Sequence, residues 1–282
     1  MQRLTKLILL VTIYFSASSL QADPTTVNFL INEYNRNFDI SVKSEILKTL
    51  KDFSQQANVQ SVLMNTLSNE RNFTNLRLQA AYSLSAQTKD SFVLNQILRA
   101  HDRSRDLNFR AGLLESIYPA VASNLKVTNV LKNNLLQNHD PTIQQASAFS
   151  LGKNIEQPQI KSFLMERSES PFLADNVRIE ILKSFYTQLN DPKIKDYLQR
   201  VALSPRYSEA MRSAATRILA TAPKTRSSRQ TLVDLLSRSQ FSTIKAQAAA
   251  GLRFELSEED IQWMRLSTDP RSGTSRDPFS RL

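Results

Sequence analysis

Two histidine–aspartate pairs, His101-Asp102 and His139-Asp140, are by residue type the best candidates for chemistry in this sequence. An imidazole beside a carboxylate can hold a divalent metal or shuttle a proton. A metal needs several ligands within about 2 Å of one ion. The chain has only these two histidines and no cysteine, and no third convergent ligand accompanies either pair. Capping of a turn is the simpler role for them. Serines are frequent, but none stands in a Gly-x-Ser-x-Gly turn, the strained elbow that exposes a nucleophile. Glu258-Glu259 opens a helical segment, where paired carboxylates complement the helix dipole. Asn72-Phe73-Thr74 is a glycosylation acceptor only in a eukaryotic host. On these grounds the sequence predicts a non-enzymatic chain with no metal and no cofactor.

The elements that must position any site are set by a repeat. The stretch "VRIEILKSF" at Val177 has counterparts starting at Val42, Leu76, Phe109, Ile143, Met211 and Ile244, at intervals of 34, 33, 34, 34, 34 and 33 residues. Seven copies with so little drift define a repeat protein. Between copies runs a second apolar-periodic segment, such as "IKDYLQRVAL" or "VTNVLKNNLLQ". Each unit is therefore an outer helix A, a short turn and an inner helix B carrying the motif. Asp39, Asp106 and Asp140 stand three residues ahead of their copies, where an aspartate caps the following helix. At about 100° per residue, motif positions 1, 5, 6 and 9 fall on one arc of roughly 140°. Position 9 is apolar in every copy, from Leu50 to Leu252, and position 8 is small in six of seven. A unit can bury such a stripe only by stacking on the next. Four glycines in 282 residues argue against β-rich folds and glycine-looped nucleotide sites, which need residues at positive φ.

The pattern V-[RK]-x-x-[AIL]-[AL]-x-[small]-L resembles the HEAT-repeat family in its short bacterial form, over residues from about 25 to 267. The Trp-Leu-Gly-Tyr pattern of tetratricopeptide repeats and the Thr-Pro-Leu-His of ankyrin are absent. The resemblance implies an all-α, right-handed α-solenoid of about seven two-helix HEAT-like repeats, with helix B lining the concave side. It also implies a structural ladder at motif position 2, held by Lys43, Arg77, Arg110, Arg178, Arg212 and Lys245, with Gln144 in the fourth copy. These bases fall inside the apolar arc, so they are expected to snorkel along the seam and to pair with turn carboxylates or carbonyls of a neighbouring unit.

The opposite arc of helix B, at motif positions 3, 7 and 10, is the candidate binding surface. Tyr82, Tyr118, Phe149 and Tyr186 are expected in the middle of a concave groove, with Lys48, Lys51, Lys183, Arg217 and Arg253 toward its ends. Aromatic side chains flanked by cations suit a protein or peptide partner with acidic features. The formal charge of +10 offers a second expectation, an envelope polyanion such as lipopolysaccharide or wall polymer, or nucleic acid.

Residues 1–22 run basic (Arg3, Lys6), apolar (Leu7–Phe15) and then small up to Ala22, the order of a secretory signal. Nine apolar residues fall short of the roughly 20 that span a bilayer, so no transmembrane anchor is expected. Cleavage near Ala22 removes two positive charges and takes +10 to +8. The sequence thus predicts a periplasmic or secreted chain with a solenoid over 23–266. Its tail, 267–282, is rich in Pro, Gly, Ser and Arg and is expected to be disordered. Trp263 is expected to cap the end of the core. The partner and the oligomeric state are left open.

Overall fold

The computed structural model describes residues 24–221 and 226–252. The segments 1–22 and 267–282, together with Arg253, Glu258, Glu259 and Trp263, lie outside the described residues. Within them the regular structure is helical, with fourteen α-helices in seven pairs. In chain order the pairs are α1 (Pro24–Arg36) with α2 (Ile40–Leu50), α3 (Ala57–Ser68) with α4 (Thr74–Leu84), and α5 (Ser91–Arg103) with α6 (Leu107–Ser116). There follow α7 (Leu125–Gln137) with α8 (Pro141–Gly152), and α9 (Pro158–Glu169) with α10 (Asp175–Ser184). The last are α11 (Pro192–Leu203) with α12 (Glu209–Ala220) and α13 (Arg226–Arg238) with α14 (Ser242–Gly251). Odd numbers are helices A and even numbers helices B. The chain is an all-α solenoid.

Local chemistry sets the helix starts. Asp39 accepts from the Ser41 and Val42 amides, Asp106 from Asn108 and Phe109, and Asp140 from Thr142 and Ile143. Each bond satisfies one of the orphan donors at a helix N-terminus. Pro141, Pro158 and Pro192 take the first helical position, where a missing N–H costs nothing.

The motif stripe forms the core. Position 9 is buried in Leu50, Leu84, Ile117, Leu151, Phe185 and Leu219, and position 1 in every copy from Leu76 to Ile244. Every helix B packs against the helix B of the next unit, whereas neighbouring helices A meet much less.

Small residues at positions 8 and 10 make that packing possible. A Cβ on Gly152 would lie 2.6 Å from the Ser184 Cβ, and one on Gly251 would lie 2.5 Å from the Ala220 Cβ. At two other junctions between units a position-8 serine crosses the gap: Ser83 donates to the Leu47 carbonyl and Ser150 to the Leu114 carbonyl, both at 2.8 Å. Like helices stack side by side, so all A-to-B turns fall on one edge of the molecule and all B-to-A turns on the other.

Candidate functional site

Where α8 meets α10, the helix B row opens into a cleft of about 120 Å³. Its lining includes Phe149, Gly152 and Lys153 from one unit and Glu180, Lys183 and Tyr186 from the next. Position 7 supplies Phe149 and Lys183, and position 10 supplies Gly152 and Tyr186, so one helical face of two stacked units builds it. Lys183 Nζ lies 3.1 Å from Glu180 Oε2, and both side chains are only 10% exposed. The Lys153 ammonium sits 5.0 Å from the centre of the Phe149 ring, a cation–π distance. Tyr186 is half-buried, and Glu156 is exposed on the rim. The cleft therefore combines two aromatic walls with a desolvated ion pair, a lining suited to one amphipathic side chain of a partner.

Of the residues expected in the groove, the structure brings together Phe149, Lys183 and Tyr186. Lys183 corrects the expectation that it lies toward a groove end. It is buried in the middle of the row, because α8 and α10 approach closely at Gly152 and Ser184 and Glu180, one turn back, takes its charge. Tyr82 is half-buried and its hydroxyl donates to Glu115 Oε2 at 2.9 Å. Tyr118 is half-buried and heads a short 3-10 turn. Lys48 is exposed and pairs with Glu45 at 2.6 Å. Lys51 and Arg217 are half-buried in other units.

The bases at position 2 make a repeated bond. The Nε groups of Arg77, Arg178 and Arg212 donate to the carbonyls of Leu67, Ser168 and Ala202, at 2.9, 2.9 and 3.1 Å. Each acceptor lies ten residues back, in the last turn of helix A of the same unit. The expected neighbouring-unit carbonyl is thus corrected, because the short A-to-B turn folds the unit's own helix end over the base. The next unit contributes a ring to Arg77, Phe109 at 4.5 Å, whereas Tyr207 and Phe241 lie 5.3 Å from the guanidinium carbons of Arg178 and Arg212. Gln144 makes the equivalent bond to the Asn138 carbonyl at 2.6 Å. Arg110 departs from the pattern, since its buried Nε has no partner. Lys43 lies over the Tyr34 ring at 4.9 Å, and Lys245 is exposed.

His101 is 7% exposed in the last turn of α5, with Nδ1 2.9 Å from Asp102 Oδ1. Burial pushes its pKa down, and the Asp102 hydrogen bond opposes this. His139 is exposed and Asp140 caps α8. No group of three or more His, Cys, Asp or Glu placed to hold a metal occurs among the described residues.

The motif does not single out the A-to-B turns, where Phe38, Phe73 and Phe172 are 97%, 62% and 93% exposed. The signal in the sequence is an aromatic residue recurring just ahead of the motif, in five of seven units if Tyr207 and Phe241 are included.

No family model matches the chain, and no curated protein matches it. Among solved structures, the chain is similar to human deoxyhypusine hydroxylase in complex with glycerol at a TM-score of 0.36 and 12% identity, over 82% of this chain and 84% of that one. The expectation of a non-enzymatic chain is withdrawn: stacked helices alone do not exclude catalysis. No described helix is long and apolar enough to cross a membrane.

Proposed function

We propose that the chain is a HEAT-like repeat protein, exported to the periplasm or secreted, that binds a segment of a partner protein along its helix B row. The α8–α10 cleft carries this reading, because Phe149 and Tyr186 line it together with a nearly desolvated Lys183–Glu180 pair. Aromatic anchors in a water-poor pocket are what dominate protein–protein affinity. The basic–apolar–small order of residues 1–22 supports export. A photoreactive residue at Phe149, with a control at Ser162 on α9, tests it in living cells. A discrete protein adduct at Phe149 and none at Ser162 is expected. Equal labelling at both positions, or none, would overturn it.

A second reading has its own observation. The B-to-A edge carries lysines, of which Lys89, Lys126 and Lys193 are exposed, and a row of ammonium groups suits a polyanion. Polyanion binding falls steeply with added salt, whereas the aromatic cleft should hold its partner.

A further inference from the structure

We propose that the A-to-B edge docks on an anionic lipid bilayer, with Phe38, Phe73 and Phe172 seated at the headgroup boundary and arginines on the lipid phosphates. The phenylalanines serve no evident purpose in the fold. Phe73 occupies the N-cap position of α4 and makes no capping bond, where units one, three and four place a capping aspartate. Phe38 stands just before the Asp39 cap, where an apolar residue ordinarily staples onto the helix. At 97% exposure it touches almost nothing. Phe172 is 93% exposed in the turn before α10.

The charges on this edge divide in a way that points to anions. Arg36, Arg71, Arg103, Arg105, Arg206 and Arg238 are exposed; no hydrogen bond or ion pair of their side chains occurs among the described residues. The neighbouring carboxylates are largely committed. Asp39, Asp106 and Asp140 cap helices, Asp175 pairs with Arg178 and Glu169 with Arg200, and Glu209 accepts from the Thr243 hydroxyl. Counting the last four residues of each helix A, the turn, and the first four of each helix B, the edge holds 14 Lys and Arg against 10 Asp and Glu.

The spacing selects an extended surface over a pocket. Stacked helices lie roughly 8–10 Å apart, so the turns of units one and five are about 30–40 Å from each other. No single pocket receives side chains so far separated, whereas a surface receives them all at once. Aromatic rings favour the headgroup level, and basic groups beside them add attraction to anionic lipid.

The test is co-sedimentation of the full chain with phosphatidylcholine vesicles, with and without about one-third phosphatidylglycerol. Binding is expected to the anionic vesicles. Phe38→Ser with Phe172→Ser should weaken it by roughly tenfold per side chain, and the triple change Lys89→Gln, Lys126→Gln, Lys193→Gln on the opposite edge should leave it unchanged. Phe172→Trp should keep binding and gain blue-shifted emission on the vesicles. Parent-like binding by the double serine variant, loss in the lysine variant, or no vesicle-induced shift in the emission of Phe172→Trp would each overturn the proposal. Retention on an acidic protein but not on vesicles would overturn it as well. Crosslinking at Phe149 is read separately, so failure of one surface leaves the other standing.

Discussion

The two edges of the stack use positive charge in opposite ways. Along the B-to-A edge the cations are mostly lysines, and several are absorbed by the fold: Lys161 holds Asp191 at 2.6 Å, Lys183 is buried against Glu180, and Lys153 lies over Phe149. Along the A-to-B edge they are mostly arginines in two ranks. Three of the inner rank at motif position 2 close the ends of helices A, and the outer rank is exposed on the same edge of the stack as the exposed phenylalanines. A planar guanidinium suits both duties, since it can bond a carbonyl and lie on a ring at once. The comparison teaches that exposure and engagement, rather than charge, separate a residue the fold uses from one left over for a partner.

The sharpest break should come at Lys183. Lys183→Met leaves Glu180 buried without its partner, a loss on the order of 3–5 kcal/mol. Replacing both, with Lys183→Met and Glu180→Leu, should restore most of it, because an apolar pair carries no desolvation penalty. Lys89→Met on the same edge should stay within about 0.5 kcal/mol. Urea unfolding of the parent and the three variants reads these differences. Equal stability of Lys183→Met and Lys89→Met would show that the two lysines do not differ as their burial requires.

Next in size is the contrast within the arginine edge. Arg178→Ala removes the 2.9 Å bond to the Ser168 carbonyl and the stacking on Tyr207, and should cost about 1.5–3 kcal/mol as a hydrogen bond from a charged group. Arg206→Ala, two residues from the Ser208 cap of α12 but itself exposed, should cost no more than about 0.5 kcal/mol. The same denaturation experiment reports both.

Periodicity explains which of these features are legible in the chain. The stripe at positions 1, 5, 6 and 9 repeats at the unit length, so the motif alone assigns Leu151 and Phe185 to the core. The aspartate caps are legible for a similar reason, since Asp39, Asp106 and Asp140 hold a fixed distance from the motif. The burial of Lys183 is not, because it depends on how near α8 comes to α10. That distance is set by two small residues, Gly152 and Ser184, in different units. Helical phase alone puts Lys183 on the same arc as Phe149 and Tyr186, yet says nothing of depth. The ladder is half legible. A base inside an apolar arc must reach a polar partner, but whether that partner belongs to its own unit depends on the length of the turn.

The smallest expected effect on folding is the most telling about the exposed rings. An aromatic residue just ahead of an apolar run reads as core, and a buried Phe changed to a small residue typically costs about 3–5 kcal/mol. Phe38 and Phe172 make so little contact with the chain that Phe38→Ser and Phe172→Ser should each shift stability by less than about 0.5 kcal/mol. The sign could even favour the variants, since a serine in a turn can bond nearby backbone. Phe185→Ser, at the same residue type but wholly buried in the helix B row, sets the other end of the scale. If Phe38→Ser unfolded the chain as readily as Phe185→Ser does, the ring would belong to the core after all, and the A-to-B edge would lose its claim to a partner. Near-parent stability would leave side chains that the fold does not need, and their reason would then have to lie outside the chain.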